Sequence, residues 1–170
     1  MSETITGRIA RKYMAHFIDA SFMGQTPVLY RLGADLEEFN VEMNPDTEKK
    51  KNILGNNTFS HKGYEMSASA EPFYAEVGDA LFTRLQQIVD NQYVGDELKT
   101  KSLEVHLWDA GTTSGTYRAY SQDCYVVPTS YGGDTSGYQI PFEVTYVGDK
   151  VSGIYTPGTG GASGTFTPDT

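Results

Sequence analysis

The sequence predicts a mainly β domain with one α-helix and one long connection between strands. Three observations carry that prediction. Two segments, 36–44 and 64–71, alternate apolar and polar residues with a period of two, as half-buried antiparallel strands do. The composition, with 12 Tyr, 18 Gly and many Thr and Ser, favours strands and turns. Only residues 76–91, EVGDALFTRLQQIVDN, switch clearly to three- and four-residue apolar spacing.

Each element follows in order. Residues 1–13 form a polar, basic arm with Arg8, Arg11 and Lys12. A first strand is expected over 15–21 and a second over 28–32, just after Pro27. In 36–44, Phe39, Val41 and Met43 share one face, and Glu38, Asn40, Glu42 and Asn44 the other. In 64–71, Tyr64, Met66, Ala68 and Ala70 oppose Glu65, Ser67, Ser69 and Glu71. The two segments read as a hairpin with one dry face and one acidic, hydroxyl-rich face. Their connection, 45–62, is far longer than the roughly 2–5 residues usual for a hairpin.

After Pro72, the helix over 76–91 presents Val77, Ala80, Leu81, Leu85, Ile88 and Val89 as its apolar stripe, with Glu76 and Asp79 at its positive end. One helix on a β scaffold lays that stripe on a sheet face or seals an open end. Strands are expected over 103–108, 117–128, 138–147 and 151–156, with turns at GTTSG, YGGDTSG and GDK (148–150). The end, 157–170, is rich in Gly and Thr and is expected to be a flexible tail.

The 170 residues suit one domain with a real core. A net charge of −9, from 22 acidic and 13 basic residues, argues against a general nucleic-acid binder, which needs a basic footprint. It leaves open a protein that nucleic acid must pass without sticking. The lone Cys124 forms no disulfide framework, and no apolar leader or membrane-spanning run is visible, so folding in a reducing cytoplasm is expected.

No residue set carries a catalytic argument. His16, His61 and His106 lack metal-ligand spacing, so neither a metal nor a cofactor is expected. DTSG within YGGDTSGY is broken as an acid-protease motif by its serine, and GTTSG lacks the order of a nucleophile elbow. Cys124 shares a face with Tyr120, Gln122 and Val126 and has no base beside it, which marks a structural thiol.

What remains is geometric. The face of Glu38, Asn40, Glu42, Asn44, Glu65, Ser67, Ser69 and Glu71 contains no lysine or arginine, while Lys49, Lys50, Lys51 and Lys62 gather in the connection. Two explanations fit. One is a solvated strand face beside a solvated loop. The other is a ring in which the paired segments of each copy merge into a closed barrel, removing exposed edges. The acidic faces then line a bore that repels phosphate, and the long connection reaches a neighbouring ring.

In its order of elements the chain resembles the major tail tube proteins of long-tailed bacteriophages, related in fold to the tubes of contractile tails and type VI secretion. The resemblance covers most of residues 5–156: a basic arm, the long-looped pair NVEMNPDTEKKKNILGNNTFSHKGYEMSASAEP, the helix EVGDALFTRLQQIVDN, and VVPTSYGGDTSGYQIPFEVTYVGDKVSG. It implies a β-sandwich or barrel with a flanking helix, and homohexameric rings stacked into a virion tube that conducts DNA. It further implies assembly in the bacterial cytoplasm with tape measure, terminator and distal tail proteins, and no membrane partner. The inner hairpin maps onto 36–44 and 64–71. Ring-to-ring contacts map onto Arg8, Arg11, Lys12, Lys49, Lys50, Lys51, Asn52, Ile53 and Leu54. The alternatives are a contractile-tail or type VI secretion tube, which shares the ring, and a carbohydrate-binding β-sandwich using Trp108 and clustered tyrosines.

Overall fold

A computed structural model describes residues 5–160 and 163–170; residues 1–4 of the expected arm and 161–162 of the expected tail lie outside the described residues. The described residues are mainly β, a curled antiparallel sheet with a single α-helix, as the alternation and composition predict.

The strands are β1 (Met14–Asp19), β2 (Leu29–Arg31), β3 (Pro45–Lys51), β4 (Asn57–Tyr64), β5 (Ser67–Ala70), β6 (Lys99–Ala110), β7 (Tyr117–Pro128), β8 (Gly132–Asp134), β9 (Gly137–Gln139), β10 (Phe142–Thr156) and β11 (Thr165–Pro168). Seven of them form the main sheet, in the order β11-β10-β7-β6-β1-β2, with β5 added to the first half of β10. Among the described residues β3 and β4 form a two-stranded sheet of their own, as do β8 and β9, with Gln139 of β9 also bridging Tyr74.

Alternation along these strands sends apolar side chains to both faces of the sheet. On one face, Ile18, Ala68, Ala70, Cys124, Val126, Phe142 and Val144 form the larger core with Leu81, Leu85 and Ile88 of the helix. On the other, Ala15, Phe17, Leu103, Val105, Ala119 and Tyr155 form a smaller core, against which Phe166 packs. Two register breaks bend the sheet: β10 carries extra residues between Val147 and Val151, and β6 between His106 and Ala110.

The helix, α1, spans Ala80–Asn91 rather than starting at residue 76. Gly78 has φ +94°, outside the helical region, and the Asp79 carboxylate then caps the helix by accepting from the backbone N–H groups of Leu81 (2.9 Å) and Phe82 (3.4 Å).

Four further expectations are corrected. Residues 36–44 do not form a ladder with β5. They meet it at one bridge, Glu42 opposite Ser67, and toward residue 38 the segment leaves β5, where Arg11 holds the Phe39 carbonyl (2.8 Å) instead. Residues 45–62 are not an irregular loop but most of the β3–β4 hairpin, with a five-residue tip at 52–56. GDK at 148–150 is no hairpin turn. It is the bulge inside the single 15-residue strand β10, whose ladder with β7 resumes at Val151 opposite Ser121.

The C-terminal segment is not a free tail, because β11 pairs with residues 153–156 of β10. A β-carbon on Gly153 would collide with the Phe166 ring and the Thr167 carbonyl, so glycine there lets the last strand close on the sheet. The Asp169 carboxylate then accepts from the Arg118 guanidinium and the Ser152 hydroxyl.

Candidate functional site

The acidic face survives the change in local pairing. Glu38, Asn40 and Glu42 from 36–44, Ser67 and Ser69 from β5, and Glu71 line one shallow concavity of about 340 Å³. Glu143 of β10 joins them. It lies opposite Ser69 in the β5–β10 ladder, and the sequence reading missed it. Its signal was there: in PFEVTY, Phe142 and Val144 are buried while Glu143 and Thr145 are exposed. No lysine or arginine lines the concavity, and none of Glu38, Glu42, Glu71 and Glu143 forms an ion pair among the described residues. Four carboxylates so placed hold a negative potential over the face.

The remaining two predicted residues sit at the margin. The Asn44 side-chain amide donates to the Glu65 carbonyl (2.9 Å) and the Ser67 hydroxyl (3.3 Å), which ties 36–44 to β5. Glu65 is exposed and belongs to the turn out of β4.

Beyond that margin the β3–β4 hairpin projects from the body. Every residue from Lys49 to Lys62 is exposed. The tip is ordered by Asn52, whose side-chain oxygen accepts from the backbone N–H groups of Leu54 and Asn56, both at 3.0 Å, while Gly55 supplies φ +84°. Ile53 and Leu54 stand at that tip with their side chains in solvent. Lys49, Lys50 and Lys51 lie on the strand leading to it.

The basic arm divides. Arg11 turns inward and donates to the Met14 carbonyl (2.6 Å) and the Phe39 carbonyl (2.8 Å), anchoring 36–44. Lys12 lies over the Tyr13 ring, 5.2 Å from its centroid. Arg8 is exposed.

His16, His106 and Cys124 each make contacts within the fold. Burial, opposed in part by the Glu104 charge, lowers the His16 pKa to about 4, and its ring packs on Phe39. His106 pairs with Glu104 at 2.8 Å and stacks on Trp108 at 4.5 Å, so one face of the lone Trp is covered by its own chain. Burial pushes the Cys124 thiol up to about 12, helped by the Asp123 charge. No cluster of His, Cys, Asp and Glu fit for a metal ion occurs among the described residues. A groove of about 1330 Å³ on the face of the smaller core mixes Phe17, Leu103 and Tyr155 with side chains of both signs, including Asp123, Asp149, Arg31 and Lys101.

Among the described residues, no helix is long and apolar enough to cross a membrane. No protein-family model matches the chain, and no curated protein matches it at a significant level.

Proposed function

We propose that this chain is a structural subunit of a bacteriophage tail tube. Six copies close into a ring, rings stack, and DNA leaves the virion through the bore. The observation that carries the reading is the pairing of two features: a cation-free carboxylate face, and beside it a hairpin that projects from the body with apolar residues at its tip. A bore lined by Glu38, Glu42, Glu71 and Glu143 repels the phosphate backbone and denies DNA the electrostatic attraction that drives non-specific binding.

A two-stranded hairpin is marginal by itself. Burying Ile53 and Leu54 against another copy contributes about 1.5–3 kcal/mol per side chain, enough to make stacking cooperative with ordering of the hairpin. Such a subunit assembles in the host cytoplasm and meets the tape measure, terminator and distal tail proteins at the ends of its stack.

Electron microscopy of concentrated purified protein tests the reading. Rings or hollow tubes are expected. A protein that stays monomeric at high concentration overturns it.

A further inference from the structure

The two faces of the projecting hairpin are chemically different, and the strand register sorts them. Lys49 pairs with Phe59, Lys51 with Asn57 and Thr47 with His61, so these side chains share one face. Glu48, Lys50, Thr58 and Ser60 occupy the other.

On the second face the charge is already answered. Glu48 meets Lys50 at 3.2 Å and, across the bulge opposite residues 46–47, Lys62 at 3.9 Å. On the first face Lys49 and Lys51 have no carboxylate partner among the described residues, and they flank Phe59, which is 69 % exposed. Unpaired cations beside an exposed aromatic ring, on a hairpin attached to nothing else, make a surface built for a partner.

The partner must be anionic. The hairpin, residues 45–64, carries four lysines against two carboxylates, which leaves the rest of the chain with nine basic and twenty acidic residues. A second copy of this chain is therefore itself the complementary surface. Nucleic acid is the rival anion. A duplex brought to these lysines would also approach Asp46 and Glu48 and a strongly acidic body, which the phosphate backbone disfavours.

We propose that the hairpin docks through one face only, that of Lys49, Lys51 and Phe59, onto the carboxylate-rich body of a second copy. The proposal rests on the tube reading for its setting, since stacked rings bring the hairpin of one copy to the body of the next. It adds which face makes the contact.

The test compares two double variants with the same loss of charge, K49Q/K51Q and K50Q/K62Q. All four positions are exposed on the projecting hairpin, so both variants fold. The concentration needed for polymerisation, read by sedimentation, is expected to rise about tenfold or more for K49Q/K51Q and less than about twofold for K50Q/K62Q. Equal effects, or an effect confined to K50Q/K62Q, overturn the proposal while leaving the tube reading intact.

A second measurement does not depend on tubes. A photo-crosslinking amino acid replaces either Phe59 or Ser60 in the full chain. Covalent dimers are expected from position 59 and far fewer from position 60. Dimers from position 59 in a protein that never forms tubes keep the one-faced contact and remove the tube; equal yields remove the contact. A gel shift with duplex DNA that K49Q/K51Q abolishes assigns the face to nucleic acid and also overturns the proposal.

Discussion

Glu143 stands directly across from Ser69, so a carboxylate from the long strand β10 completes an acidic face begun by residues some seventy positions earlier. The relationship gives the face a rigid backing. Behind it Phe142 and Val144 of β10 and Ala68 and Ala70 of β5 are buried in the larger core, so neither strand can rotate without opening that core. The Glu143 end of the negative face is thus fixed by the sheet.

Reversing charge at two of these positions, E42K together with E143K, is expected to leave the fold intact, because both side chains are exposed. The change in stability should lie within about 1 kcal/mol, and circular dichroism and thermal melts check it. Under the tube reading the assembled variant should hold duplex DNA at low salt and lose it as salt rises. Virions carrying it should eject DNA slowly. Unchanged DNA retention and ejection would remove the electrostatic role of the face.

Removing residues 47–61 and joining Asp46 to Lys62 through a short Gly-Ser link should shift the melting temperature by less than about 2 °C, since the hairpin pairs with no other strand. The same deletion should abolish elongation. Tubes of normal length from this variant would show that stacking does not use the hairpin.

His16 makes stability depend on pH in a defined direction. Its pKa falls from 6.5 to about 4 on folding, chiefly through burial, with Arg11, Lys150 and His106 adding to the drop and Glu104 opposing it. Between those values the unfolded chain binds the proton and the folded chain does not. Stability is therefore complete above pH 6.5 and declines as pH falls toward 4, by on the order of 3 kcal/mol from this one group. Urea unfolding at pH 7.0 and pH 4.5 should show that loss in the wild type. His16→Leu should lose about that much less over the same interval.

Cys124 should resist alkylation. Its thiol is buried, and its pKa is pushed up to about 12, so thiolate is scarce at neutral pH. Mass spectrometry after iodoacetamide treatment should find the native protein unmodified and the urea-unfolded protein modified fully. Rapid labelling under native conditions would mean that β7 opens locally.

The readable parts of this fold share one property: each buries a face that its own neighbours in sequence reveal. Ala68 and Ala70 against Ser67 and Ser69, and Leu81, Leu85 and Ile88 around α1, show their inward direction through periodicity alone. The unread parts lack that property. The β3–β4 hairpin buries nothing within the subunit, so its strands carry no alternation of apolar and polar residues to detect. β11 is held by its ladder with β10, by the fit of Phe166 against Gly153 and, just past its end, by the ion pair of Asp169 with Arg118, none of which its own short run of residues announces. Glu143 shows its outward direction by alternating with Phe142 and Val144, but its place on the acidic face comes from long-range pairing with β5.

The length of β10 has a mechanical consequence. Its first residues sit in the larger core and its last in the smaller one, so a pull at either end is shared between the chain and the ladders with β5, β7 and β11. The offset at residues 148–150 in that strand is itself held, because the Gln122 side-chain amide donates to the Gly148 carbonyl (2.9 Å) and Lys150 meets Glu104 at 3.8 Å. One strand thus ties the two cores together at its two ends and at its offset.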